Sequence, residues 1–408
     1  MKRNKVYVLR RRVLMHRLLH SDMTGGVLLM ACAVAAVLAA NIPAMEGLHR
    51  LWDTALTVSF GDNTLSMPLR TWIDDVLMAV FFFSVGLEIK RELLVGELST
   101  RKKAMLPMFA ALGGMIFPAV IYTVFNAGTP SSGGWGIPMA TDIAFAIGVL
   151  SLLGTRCPVG LKVLLVALAV VDDIGAIIVL ALFYPSHDIH LIYLLYAAVT
   201  VLVLLAVNKA GIRSVLVYLT LGVVLFVFVF RSGIHATIAG VVLAMTIPAR
   251  TSKGDVRAFT GPDSLLCRME AAVHPWVNFM IMPLFALANA GVVVDTASLG
   301  GPMPAVIPGI FFGLLLGQPL GILTFSWLAV RLGLAGLPEG TKWRQVLALG
   351  ILGGIGFTMS IFIDNLAFTD VRLVNAGKLA ILATSFLAAC IGLAALYMTT
   401  NNKTKLIK

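Results

Sequence analysis

The chain has 408 residues, of which 59% are hydrophobic and only 12% are charged, and its mean hydropathy is +0.94. These values exclude an ordinary soluble globular protein and indicate a polytopic membrane protein. The net charge of +11 resides mostly in the segments between apolar runs. That distribution is typical of membrane topology, so we do not expect nucleic-acid binding.

Apolar runs long enough to cross a bilayer recur along the chain and predict about twelve transmembrane helices. They leave no room for a sizeable soluble domain, so we predict an all-α fold with a single transmembrane domain over residues 1–408. The predicted spans are 23–42, 72–89, 105–125, 136–154, 163–184, 191–207, 214–230, 233–247, 273–293, 304–330, 346–363 and 376–397.

The distribution of basic residues predicts the orientation of these spans. If the N-terminus is cytoplasmic and the spans alternate, the cytoplasmic segments contain 26 of the 31 Lys and Arg residues. Positive charge is retained on the cytoplasmic side during insertion, so both termini are predicted to be cytoplasmic. The basic segment 1–17 precedes a run long enough to span, and we therefore expect no cleaved signal peptide.

A short alternation of polar and apolar residues follows the first predicted span and indicates a β-hairpin over residues 55–67. Its turn falls at residues 61–63, on the periplasmic side in this topology. Because an isolated two-stranded hairpin is only marginally stable, we expect its edge to pair with a second copy in a homodimer. The alternative is an irregular periplasmic loop.

Two of the spans are rich in Gly and Pro, one at residues 136–142 and the other at 350–358. This composition predicts interrupted helices, which a membrane tolerates only where protein or a water-filled cavity satisfies the freed backbone groups. Each is the middle member of a triplet, spans 3–5 and 10–12, and because three is odd the triplets start on opposite sides of the membrane. We therefore predict an inverted-topology repeat of 105–184 and 304–397 with two discontinuous crossing helices.

The other spans, 23–42, 72–89 and 191–293, are then expected to form the scaffold. For each interrupted segment, the alternative is glycine packing between intact helices.

Asp172 and Asp173 are the only charged side chains in the apolar run 163–184 and lie near its middle. A carboxylate at the bilayer midplane costs at least about 2.5 kcal/mol, so an adjacent pair indicates a function or a water-filled cavity. Asp142, on the predicted unwound stretch, can neutralise the positive N-terminal ends of the half-helices. At their negative C-terminal ends, the tenth span offers only the neutral amide of Gln318.

Thr141, Asp142, Asp172 and Asp173 supply hydroxyl and carboxylate oxygens, and the unwound chain supplies carbonyl oxygens, all ligands that suit a hard cation such as Na⁺. A desolvated carboxylate that holds either H⁺ or Na⁺, but not both, is the minimum machinery of a cation/proton exchanger. We expect neither catalysis nor a cofactor. The alternative functions are a Na⁺-coupled symporter of an organic solute and, from another class, an intramembrane aspartyl protease.

Several stretches resemble the NhaA-type Na⁺/H⁺ antiporters: 81–93, 140–146, 171–176, 232–237 and 274–276. The resemblance implies a bacterial inner-membrane antiporter of twelve helices, often dimeric, that expels Na⁺ or Li⁺ in exchange for two protons. By the same resemblance, Asp173 is the principal ion ligand, Asp172 is its partner carboxylate, and Asp142 and Thr141 complete the unwound crossing.

The resemblance also implies a pH-responsive cluster of Glu88, Arg91 and Glu270 at a cytoplasmic funnel, and a pH-linked role for His235. Gln318 departs from the family pattern, because it stands where well-studied members have a lysine that pairs with the first aspartate. We therefore expect Asp172 and Asp173 each to carry a proton; the alternative is that the loss of the lysine removes one proton from the cycle and makes exchange electroneutral. Ala271 replaces an expected histidine, which predicts a different pH set point.

Overall fold

The computed structural model describes residues 22–60, 63–184, 190–249, 264–293 and 304–400, and most of them are helical. In chain order the helices are α1 (Asp22–Asn41), α2 (Glu46–Leu51), α3 (Leu69–Trp72), α4 (Met78–Leu94), α5 (Arg101–Asn126), α6 (Ile143–Ser151), α7 (Val159–Phe183), α8 (Leu191–Lys209), α9 (Val215–Ser232), α10 (Thr237–Thr246), α11 (Leu265–Trp276), α12 (Met282–Asn289), α13 (Val306–Phe312), α14 (Gln318–Arg331), α15 (Trp343–Gly353), α16 (Phe357–Ala367) and α17 (Val371–Thr400).

Three pairs of these helices are continuous through a π-helical turn. Ile73–Leu77 joins α3 to α4, Val277–Ile281 joins α11 to α12, and Gly313–Gly317 joins α13 to α14. A 3₁₀ segment, Ser132–Met139, precedes α6. π-helical turns inside α-helices are frequent at functional sites. The turn that ends immediately before Gln318 therefore indicates that a functional site lies near Gln318.

Each predicted span coincides with a helical segment of the structure. By length and composition, nine segments among the described residues can cross a membrane, or ten if the bent pair α15 and α16 is one span. The continuous helix α3–α4 and the ten-residue α10 correspond to the two further predicted spans. The polytopic helical fold is therefore confirmed, whereas the count of twelve spans stays a prediction.

The predicted hairpin is confirmed as a two-stranded antiparallel sheet of β1 (Ala55–Phe60) and β2 (Asn63–Pro68). Thr57 faces Ser66, and their hydroxyl oxygens are 2.8 Å apart. Residues 61 and 62 of the predicted turn lie outside the described part of the chain.

The contact between α5 and α14 is made backbone to backbone. A Cβ atom on Gly113 would overlap the carbonyl of Gly321, and one on Gly321 would overlap the carbonyl of Gly113. One residue further along α5, Gly114 faces the side-chain oxygen of Gln318. The absence of side chains at these glycines therefore lets α14 approach closely enough to bring Gln318 into the centre of the protein.

Other helices pack around this centre in different ways. The helix that carries the two adjacent aspartates, α7, contacts α5 where Met115 lies over Gly175. By contrast, α8 and α9 leave large apolar side chains exposed, with Leu202 and Val223 65% and 64% accessible. Such faces are compatible with lipid, so α8 and α9 lie at the periphery of the fold.

Candidate functional site

Two interrupted helical segments meet at the centre of the site. The first passes from the 3₁₀ segment through the extended residues 140–142 into α6, and the second passes from α15 through residues 354–356 into α16. The axes of α15 and α16 differ by 46°. The backbone N–H of Asp142 donates to the carbonyl of Ile355 at 2.7 Å, which joins the two interruptions directly.

The two interruptions approach each other closely because a glycine lies at the break of the second segment. Gly356 lies against the Ala140 carbonyl, 3.0 Å from where its Cβ would be, and a Cβ there would also overlap the Ser360 hydroxyl. A larger residue would therefore separate the two interruptions. The interrupted helices predicted from the Gly and Pro content are present in the structure.

The N-terminal ends of α6 and α16 share one carboxylate. Oδ1 of Asp142 accepts a hydrogen bond from the Phe145 N–H at 2.9 Å, as an N-cap of α6. Oδ2 accepts from the Thr358 N–H at 3.1 Å and from the Thr358 hydroxyl. Because helix N-termini carry partial positive charge, the buried Asp142 is stabilised from two directions.

Neutral donors meet the C-terminal ends of the other two half-helices. The Thr141 hydroxyl donates to the Gly353 carbonyl at the end of α15, at 2.8 Å. Gln318 Nε2 donates to the Met139 carbonyl at the end of the 3₁₀ segment, at 2.7 Å. The amide therefore satisfies a carbonyl of the crossing without adding positive charge.

The adjacent aspartates of α7 differ in their contacts, although each is only 3% exposed. Oδ2 of Asp172 accepts a hydrogen bond from the Thr141 N–H at 2.7 Å. No group in the described part of the chain donates a hydrogen bond to Asp173, and its electrostatic neighbours are the acidic Asp172, Glu88 and Asp142. A carboxylate surrounded by other acids and without a donor is suited to bind a cation or a proton.

Two cavities lie at opposite ends of α3–α4. A cavity of about 80 Å³ is lined by Glu88, Ser84 and His274, among others, and we call it the Glu88 cavity. A cavity of about 310 Å³ is lined by Asp74, Asp75 and His235. Since Met67 of β2 also lines the second cavity, we call it the hairpin-side cavity.

The residues implied in pH response separate into two places. Arg91 Nε lies 3.0 Å from Glu270 Oε1, and Arg91 also pairs with Glu92 at 3.2 Å. Glu88 lies one turn before Arg91 on α4, but His235 lines the hairpin-side cavity at the other end of that helix. His235 therefore does not share an environment with the Arg91–Glu270 pair.

Sequence reasoning overlooked two parts of this arrangement. Thr358 was recognised only as part of the Gly-rich stretch, yet it holds Asp142. Asp364 on α16 and Lys378 on α17 are buried, with 0% and 4% of their surfaces exposed. The signal that could have indicated them was an acid immediately after the apolar run 346–363 and a lysine within the apolar run 376–397.

Buried carboxylates at the meeting point of two interrupted transmembrane helices define a membrane transporter of small cations. The sequence model of the family described as Na⁺/H⁺ antiporter 1 matches residues 16–396. The chain therefore belongs to this family, and Na⁺/H⁺ antiport is its activity, as the sequence predicted.

Similar proteins named Na(+)/H(+) antiporter NhaA occur in several bacteria. The one from Wolinella succinogenes is 45% identical, over 93% of this chain and 92% of its own length. Those from Shigella dysenteriae serotype 1 and Escherichia coli O1:K1 are each 48% identical, over 93% of this chain and 96% of their own length. The similarity therefore extends over nearly the whole chain.

Proposed function

We propose that the protein exports Na⁺ or Li⁺ from the cytoplasm of a bacterium in exchange for protons that enter from the periplasm. It would lie in the inner membrane with both termini cytoplasmic. Membership in an antiporter family supports the exchange, and the excess of Lys and Arg in alternate segments supports the orientation. In this orientation the hairpin is periplasmic.

Asp173 is the principal ion ligand in this proposal, and Asp172 is its partner. The observation that carries the proposal is the buried Asp173 carboxylate, which has only acids as electrostatic neighbours and no donor in the described part of the chain. Na⁺ or H⁺ compensates this negative charge, so each ion displaces the other. The site binds Na⁺ when it faces the cytoplasm and H⁺ when it faces the periplasm. Outward movement of Na⁺ is therefore coupled to inward movement of H⁺.

Thr141 and Asp142 link this binding site to the interrupted helices. The Thr141 N–H donates to Asp172, and its hydroxyl donates to the end of α15, so a change of charge on Asp172 acts directly on the crossing. With a neutral Gln318, the protons of the cycle are carried by Asp172 and Asp173, one on each. The cycle then moves two protons inward for each Na⁺ outward.

Control by pH is proposed to act at the cytoplasmic end through Glu88, Arg91 and Glu270. The ion pair between Arg91 and Glu270 joins α4 to α11, and Glu88 is an electrostatic neighbour of Asp173. His235 is proposed to respond from the periplasmic end, where it lines the hairpin-side cavity.

The proposed assembly is a homodimer in lipid, joined through residues 55–67. In the described part of the chain the sheet contains only these two strands, and the outer edges of such a sheet can pair with another copy. The core would be an inverted repeat of residues 105–184 and 304–397, which the matching positions of the interrupted segments support.

Ion flux in proteoliposomes tests the proposed site. With Na⁺ and H⁺ as the only transportable solutes, we expect exchange in the wild type and none in Asp173→Asn, because an amide cannot compensate the charge of Na⁺. Asp370→Asn is the matched control, since Asp370 is outside the crossing and pairs with the exposed Arg372. Substantial exchange in Asp173→Asn contradicts the site, and a requirement for an organic solute indicates the symporter.

A further inference from the structure

A second buried carboxyl lies away from the adjacent aspartates of α7. Asp364 is on α16, six residues beyond Thr358, which is about 9 Å along the helix from the crossing. It is fully buried, and neither of its oxygens has a hydrogen-bond partner among the described residues. A buried polar atom without a partner is rare in proteins and indicates an unseen proton, water or ion.

The neighbouring helix leaves room for this carboxyl. A Cβ atom on Gly377 of α17 would overlap Oδ1 of Asp364, so the carboxyl occupies the space of a missing side chain. The next residue, Lys378, is 4% exposed and attracts Asp364 electrostatically, yet it does not reach hydrogen-bonding distance. Burial of two opposite charges costs desolvation free energy, and charges that do not touch recover little of it by attraction. A purely structural ion pair therefore does not explain why Asp364 and Lys378 are buried.

The residue after Asp364, Asn365, belongs to a chain of hydrogen bonds at the wall of the hairpin-side cavity. Asn365 donates to Oδ1 of Asn289 at 2.9 Å, and Asn289 donates to Oδ1 of Asp74 at 2.6 Å. Asp74 and Asn365 both line the cavity. Asp364 therefore lies one residue from the wall of a space of about 310 Å³ on the hairpin side of the crossing.

Other titratable groups among the described residues face this pair from three sides. From α5, Tyr122 interacts electrostatically with Asp364, while its hydroxyl donates to the Ser131 carbonyl at 2.7 Å. From the hairpin side, Arg70, Asp74 and Asp53 act on Lys378. From α9–α10, His235 contacts Phe362 of α16, with ring centroids 5.4 Å apart.

We propose that Asp364 is a proton-binding site, distinct from Asp172 and Asp173, which exchanges its proton with the compartment on the hairpin side. The proton comes from water in the hairpin-side cavity and forms an O–H bond on the carboxyl, which removes the unpartnered negative charge between α16 and α17. Because α16 begins at the Asp142 cap, the protonation of Asp364 makes the turnover of exchange depend on the pH of that compartment. The effect on turnover rests on the proposed function, whereas the binding of the proton does not.

Infrared difference spectra of the purified full-length protein test proton binding directly. As pH changes, Asp364→Asn should lose one band of a protonated carboxyl that the wild type shows. Lys378→Met should move the pH at which this band appears, whereas Arg372→Gln, at the exposed start of the same helix, should leave it in place. The same set of titrating bands in wild type and Asp364→Asn overturns the proposal.

A variant that lacks both charges covers the case in which Asp364→Asn does not fold. Asp364→Asn with Lys378→Met leaves no unpaired charge between α16 and α17, and the same band should be lost. Its presence in the double variant overturns the proposal. Asp173→Asn separates the two hypotheses, because we expect it to abolish exchange while it retains the Asp364 band.

Turnover in uniformly oriented proteoliposomes tests the consequence for transport. Asp364→Asn should flatten the dependence of turnover on hairpin-side pH and leave its dependence on the opposite pH unchanged. A merely structural role lowers turnover equally at every pH on both sides, and that result overturns the regulatory part of the proposal.

Discussion

Thr358 donates both its backbone N–H and its hydroxyl to one oxygen of Asp142, so the second interrupted span completes the cap of the first. The other oxygen of Asp142 is occupied by the Phe145 N–H. One carboxylate therefore holds the N-terminal ends of two half-helices, and displacement of either half-helix breaks hydrogen bonds of the other.

The first prediction concerns this shared cap. Thr358→Val keeps the shape of the side chain but removes the hydroxyl, and a hydrogen bond to a charged group contributes about 1.5–3 kcal/mol. We expect the apparent affinity for Na⁺ to fall about tenfold or more, because Asp142 is no longer held in place. A dye-based assay of proton flux at varied Na⁺ concentration measures this apparent affinity. Thr358→Ser is the control and should retain affinity; equal affinity in all three proteins contradicts the role of the cap.

The sequence predicted where the spans break but not what joins them. Gly and Pro content reports directly on backbone conformation, so the interruptions at 136–142 and 350–358 could be located from composition. The bond between Thr358 and Asp142 spans 216 positions in the chain, and a local pattern contains no information on such a pairing.

The same limit applies to charged residues that a family resemblance groups by role. His235 and Arg91 were both linked to pH response, yet their helices bring them to opposite ends of α3–α4. Conversely, Asp364 lies near the end of α16 and Lys378 about two turns into α17, and the two come together because α17 packs on α16. Which side chains of two helices lie close together depends on how the helices pack. The pattern of apolar residues along each span does not predict that packing.

The second prediction follows from competition between ions. If Na⁺ and H⁺ bind the same carboxylates, the apparent Na⁺ constant should rise as pH falls, by about tenfold per pH unit for one competing proton once the carboxyls are mostly protonated. Maximal turnover should change less. Flux measured over several pH units at saturating and limiting Na⁺ gives both quantities. A Na⁺ constant independent of pH indicates separate sites.

The third prediction concerns the charge moved in each cycle. Gln318 donates to the Met139 carbonyl and brings no positive charge to Asp172, so both aspartates are expected to carry protons. Two protons for one Na⁺ move one net charge, worth about 2.3 kcal/mol per 100 mV, and the membrane potential then drives Na⁺ out.

Solid-supported-membrane currents measure this charge. We expect a Na⁺-driven transient in the wild type, and Gln318→Glu, which keeps the side-chain size but removes the amide donor, is the companion variant. A lack of current in protein that is active in proton flux indicates an electroneutral cycle with one proton. Asp173→Asn provides the baseline without transport.

The fourth prediction concerns assembly. Replacement of residues 56–67 by a short Gly-Ser linker removes both strands, and we expect the dimer to dissociate into monomers because the sheet edge is lost. Native mass spectrometry in detergent measures the oligomeric state. Thr57→Val with Ser66→Val removes the cross-strand hydroxyl pair but keeps the strands, so it should remain dimeric. A dimer after removal of the hairpin contradicts the proposed interface.

The glycine contact between α5 and α14 has a consequence for motion. Side-chain interfaces can switch between rotamers, but Gly113 and Gly321 meet through backbone atoms that have no alternative arrangement. If α5 slid along α14 by one helical turn, a side chain would meet a backbone carbonyl. We therefore expect α5 and α14 to move together as one rigid unit. The contact of α5 with the aspartate-carrying α7 is different, because it is made by Met115, a flexible side chain over Gly175 that can adopt other rotamers.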